Sequence, residues 1–121
     1  MRSFIERFMF PYLVYDASYS SLFGKKIPTG FIYTMNVTNK MMKDVGYEQG
    51  LSYVENSMER LFGSFESLFV NNTYQFNDYS KYVVTSFDEK KKAQVREEQF
   101  PKDCKNAFNM GVRFVNETIS K

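Results

Sequence analysis

Two apolar runs, "IPTGFIYTM" at 27–35 and "SFESLFV" at 64–70, flank a helix that the residue spacing makes plain. Over 47–62, Tyr47, Leu51, Val54, Met58 and Leu61 recur at spacings of 4, 3, 4 and 3, which is one face of an α-helix. Gly63 is a suitable stop for that helix. The run Phe31, Ile32, Tyr33 and Met35 suits a strand covered on both faces, and Pro28 sits near its start, where a missing N–H is tolerated. Strands alternating with helices predict an α/β fold, a parallel sheet with helices on both faces.

The remaining segments complete a single unit over residues 1–121. Residues 2–9, "RSFIERFM", predict a short helix with Phe4, Ile5 and Phe8 on one face, ended by Pro11. Residues 10–24 have no clear period yet are rich in aromatics, so this loop must cover a partner chain, a ligand or its own core. After the second strand, 71–88 is irregular. Asp88 is placed to N-cap a last helix that runs to about Thr118. Phe100, Cys104, Phe108, Val112, Val115 and Ile119 mark its apolar stripe, and Pro101 should kink or split it near residue 100. Two parallel strands have two open edges and cannot sandwich three helices well. The expectation is pairing with a second copy or another polypeptide, or membership of a larger domain as its distal half. The start inside a helix favours the latter.

Composition narrows the chemistry. The 121 residues are 43% apolar and 25% charged, as in a soluble globular protein. A net charge of +2 with scattered lysines gives no case for nucleic acid, and Lys90-Lys91-Lys92 reads as a solvated first part of a helix. There is no His, which removes the commonest general base and metal ligand and argues against zinc chemistry or a His-assisted nucleophile. No metal site is expected. The single cysteine, Cys104, allows no internal disulfide and is expected to be a buried thiol on the last helix. No apolar run approaches the roughly 20 residues of a membrane span. Arg2, Glu6 and Arg7 argue against a signal peptide, so a cytoplasmic address is expected and the three N-x-T sequons at Asn36, Asn71 and Asn116 are chance matches.

In parallel sheets ligands bind at the carboxyl ends of the strands. The first strand opens there into Thr34, Met35, Asn36, Val37 and Thr38, small and polar where a buried strand would stay apolar. These five residues are the candidate ligand-binding loop. The alternative is an ordinary strand-to-helix connection in which Thr38 or Asn39 caps the next helix. Tyr74 and Gln75, after the second strand, are weaker candidates at the same edge.

Three segments carry a family resemblance over nearly the whole chain: "MRSFIERFMFPYL", "GKKIPTGFIYTMNVT" and "NNTYQFNDYSKYVVTSFDEKKKAQVREEQFPKDCKNAFNMGVRFV". Together they resemble the C-terminal half of flavodoxin-fold flavoproteins, in the NADPH-dependent FMN reductase and iron–sulfur flavoprotein group. The resemblance implies strands four and five and helices three to five of a flavodoxin-like sheet. It implies FMN as cofactor, with Thr34, Met35, Asn36, Val37 and Thr38 bordering the isoalloxazine and the aromatic loop at a dimer surface. It further implies an NAD(P)H-dependent flavin or quinone reductase. The flavin carries the redox chemistry, so no catalytic acid–base pair need stand in the sequence. The family's phosphate-binding loop has no counterpart here, and Cys104 does not match its cysteine cluster. A non-catalytic remnant or a dimerising interaction subunit is therefore the second expectation. A purely helical protein-binding module ranks last, since it leaves "IPTGFIYTMN" unexplained.

Overall fold

The computed structural model of the chain describes residues 2–120. Helix α1 (Arg2–Met9) passes into one 3-10 turn (Phe10–Tyr12), where Pro11 supplies no N–H for a longer helix. The aromatic loop leads to β1 (Thr29–Thr34), then to a short helix α2 (Asn39–Val45) and the long helix α3 (Tyr47–Phe62). Gly46, left-handed at φ 75°, turns the chain between α2 and α3 at no steric cost. Strand β2 (Phe65–Val70), a 3-10 turn (Tyr79–Lys81), α4 (Glu89–Glu98) and α5 (Phe100–Ile119) follow. As expected, Asp88 caps α4 by accepting from the N–H groups of Lys90 and Lys91, and the last helical stretch splits just before Pro101. The strands pair in parallel, from Thr29 opposite Phe65 to Thr34 opposite Val70. Among the described residues the sheet has these two strands.

Alternation along the strands assigns each residue to a face. Phe31 and Phe65 turn toward α3 and pack on a core of Met9, Met58, Leu61 and Phe62. Phe62, with no exposed surface, is its centre. Three rings from the first third of the chain surround it: Phe8 at 5.1 Å, Tyr12 at 5.7 Å and Phe23 at 4.8 Å between centroids. The aromatic loop thus covers its own core. It is fastened there by the Leu13–Ser21 bridge and by the Ser21 hydroxyl, which donates to the Leu61 carbonyl at 2.8 Å. Its other large side chains, Phe10, Tyr15, Tyr19 and Leu22, stay exposed.

The opposite sheet face receives α5, and Gly30 sets the approach. A Cβ at position 30 would lie 2.1 Å from the Met110 side chain, 2.9 Å from Phe114 and 2.6 Å from the Glu66 carbonyl oxygen. Only glycine allows this contact. Because Met110 and Phe114 face the sheet, the stripe expected to be buried does not. Phe100, Phe108, Val112, Val115 and Ile119 are exposed. Cys104, expected as a buried thiol, is exposed with them. A two-stranded sheet is too narrow to cover the whole apolar arc of α5, so the helix buries only one side of it. Polar contacts fix that side: Arg113 forms an ion pair with Glu66, and the Ser64 hydroxyl lies 2.7 and 2.8 Å from the two Glu117 oxygens. Among the described residues no helix is long and apolar enough to cross a membrane.

Tyr33 stacks on Phe69 at 5.1 Å, beside the carboxylate of Glu55. Burial first, and then Glu55, push its hydroxyl well above the ordinary tyrosine value of 10.0. Above that value the unfolded chain loses this proton while the folded chain keeps it, so unfolding gains. Stability in urea should therefore be level up to about pH 10 and decline beyond it. Tyr33→Phe, which keeps the stacking ring, should show a shallower decline; an unchanged slope would refute the assignment.

Candidate functional site

Both strands end at the same level, and their exits are bonded to each other. The Met35 N–H donates to the Val70 carbonyl at 2.8 Å, the Thr73 N–H to Met35 at 3.0 Å and the Asn72 N–H to Val37 at 2.8 Å. Asn72 reaches Val37 from a left-handed conformation, φ 56°, which asparagine tolerates better than most residues. The sheet's hydrogen bonding is thereby extended past the last paired residues into two irregular loops.

Lys92 ties these loops to α4. It is 1% exposed, and its ammonium donates to the Asn36 carbonyl at 2.8 Å, the Asn72 side-chain oxygen at 3.0 Å and the Thr73 carbonyl at 3.3 Å. All three donors are used. The Phe87 ring lies 4.7 Å from the nitrogen and adds a cation–π contact. Among the described residues no carboxylate pairs with this cation, and burial pushes its pKa below the ordinary lysine value. The expected solvated triplet is thus two exposed lysines, Lys90 and Lys91, and one buried one. The sequence signal for the difference is faint: Lys92 stands three residues before Val95 on the inner side of a weakly amphipathic helix.

Of the five candidate residues, Thr38 lines the main cleft beside this rim and the other four do not. Thr34 is exposed at the end of β1. Met35, Asn36 and Val37 spend their carbonyls on Thr73, Lys92 and Asn72. Thr38 also caps α2, its hydroxyl accepting from the Met41 N–H at 3.2 Å, so the capping alternative holds for this residue. The Asn36 side-chain oxygen is buried without a hydrogen-bond partner among the described residues. Tyr74 donates its hydroxyl to Glu89 at 3.1 Å, whereas Gln75 contributes a backbone N–H to Tyr79.

The cleft has a volume of about 720 Å³. Its floor includes Met42, Phe69 and Asn71, with the Asn71 amide donating to the Met42 sulfur at 3.3 Å. Its walls carry Lys43 and Lys102 against Glu48, Glu98 and Asp103. The lining thus carries both signs of charge. Among the described residues no group of three His, Cys, Asp or Glu side chains is placed to hold a metal ion. Sequence reasoning located the rim but not Asn71, Asn72 or Lys92, whose roles depend on the crossing of separate loops.

Lys92→Met removes the donors while keeping the apolar stem. It leaves two carbonyls and an amide oxygen unsatisfied, which costs about 2–4 kcal/mol. Urea unfolding should register that loss, and a variant as stable as the parent would refute the structural role.

Searches against family models, curated proteins and solved structures return no match for this chain.

Proposed function

We propose that this chain is the second half of a flavodoxin-like domain which, completed by a companion polypeptide or a second copy, acts as an FMN-dependent NAD(P)H oxidoreductase of the flavin or quinone reductase type in the cytoplasm. The observation that carries this reading is the rim itself: two parallel strands end together in loops bonded to each other, beside a cleft, where sheets of this class bind ligands. The family resemblance supplies the identity of the ligand.

For the ring end of FMN the rim presents one of its five residues to the cleft, Thr38. The Thr38 hydroxyl accepts from Met41 and keeps its own hydrogen to donate. Thr34, Met35, Asn36 and Val37 belong to the same strand exit. The phosphate end does not fit. Three carboxylates against two ammonium groups line the cleft, which disfavours a dianion. The companion half must hold the phosphate. When bound, the flavin supplies hydride and electron transfer; this chain orients the ring edge and keeps Lys92 locking the loops behind it.

A second reading, a dimerising interaction subunit, is favoured by exposed area. The accessible surface is 9059 Å² for 14.3 kDa. A monomer of that mass is expected to expose roughly 6,800 Å². The excess of roughly 2,300 Å² matches one partner's share of a large obligate interface. Exposed large apolar side chains stand on α1 and the aromatic loop, on Ile32 of β1 and the outer side of α5, and also at Val45, Tyr53 and Val83.

Two measurements test these readings. Flavin fluorescence titrated with the purified chain should be quenched for riboflavin and FMN alike, with affinities within about threefold because the ring alone is held. FMN bound more than about tenfold tighter would refute the division of labour. No quenching by either would refute flavin binding by this rim. Sedimentation should show an associated species at micromolar concentration; a monodisperse monomer would refute the interface.

A further inference from the structure

A second recess, of about 260 Å³, lies between the exit of β2 and the α4–α5 elbow. Its volume is just below the usual range for small-molecule sites, enough for one or two fused rings. Val70, Val95, Phe100 and the ring of Tyr74 make it apolar, while Asn71, Asn77, Arg96 and Asp103 give it polar groups. Three of the lining side chains, Tyr74, Asp103 and Asn71, already make hydrogen bonds. Tyr74 is held by its bond to Glu89 and by the Tyr79 ring at 4.9 Å. The Arg96 guanidinium rests over Tyr74 at 5.2 Å and, among the described residues, forms no salt bridge. Asp103 accepts from Gln99 at 2.9 Å through one oxygen, and Asn71 gives its amide to Met42, which leaves its carbonyl oxygen as an acceptor.

These groups select a class of ligand by exclusion. A phosphate or carboxylate attracted by Arg96 would also meet Asp103. An ammonium attracted by Asp103 would meet Arg96. A plain hydrocarbon would bury Arg96, Asp103 and Asn71 without partners, at a cost that its own burial would not offset. A flat neutral ring with a carbonyl next to an N–H pairs Arg96 and one of the two acceptors, while Asp103 keeps its bond from Gln99. We propose that this recess binds a small, uncharged, planar lactam, its carbonyl toward Arg96, its N–H toward Asp103 or the Asn71 oxygen, and its faces against Tyr74 and Phe100.

Uracil is the probe. Tyr74, Asn77 and Arg96 line this recess and not the larger cleft, so shifts at these residues separate uracil binding here from flavin binding at the rim. In amide NMR titrations it should produce saturable shifts at Asn71, Tyr74 and Arg96. It should bind at least about tenfold more tightly than benzoate or benzylamine, which match it in size but carry charge. Arg96→Ala should weaken uracil about tenfold. Asn77→Ala, at an exposed loop position, provides a second variant, with a smaller loss expected. Shifts that do not saturate, benzoate or benzylamine binding as well as uracil, or undiminished binding in both variants would overturn the proposal.

Discussion

A buried ammonium group with three oxygen partners and no carboxylate holds the carboxyl end of this molecule together. Parallel strands that stop leave carbonyls pointing into the space where helices begin, and those carbonyls need donors. Lys92 provides three from one atom, on a stem flexible enough to reach both loops. Asn72 makes this possible from a left-handed backbone that turns its N–H to Val37 and its side chain to the lysine. The rim is therefore a cross-braced platform, a form that suits binding of a rigid ligand because little remains to be ordered.

The rest of the fold is lopsided. One face of the sheet has a packed core, with Phe62 enclosed by Phe8, Tyr12 and Phe23. The other has a single helix, drawn close by Gly30 and pinned by Arg113–Glu66 and Ser64–Glu117. Two strands give α5 too little to cover, so Phe108, Val112, Val115 and Ile119 remain in solvent, next to a strand whose Ile32 is 52% exposed. Apolar area of this extent on one side is the ordinary mark of an interface. It explains why the chain's surface exceeds what its mass requires.

Chemically the rim is notable for restraint. It offers amides, hydroxyls and balanced charge, with no histidine and no metal cluster among the described residues. Such a surface can orient a flat ring and discriminate its edges.

The residue pattern alone determined the α/β class, the parallel sense of the strands, the bounds of α3 at Gly63, the cap at Asp88 and the break at Pro101. These are local: each follows from spacing within a few residues or from the geometry of one amino acid. Which side of α5 is buried was not local. The helix carries apolar residues around a wide arc, and only the contact of Met110 and Phe114 with Gly30 chooses among them; that choice exposes Cys104. Lys92 shows the same limit. In sequence it is one of three adjacent lysines, distinguished only faintly by its spacing to Val95. Tertiary structure singled it out because the carbonyls of Asn36 and Thr73, far apart along the chain, converge where the two strands end, and a buried carbonyl without a donor is too costly to leave.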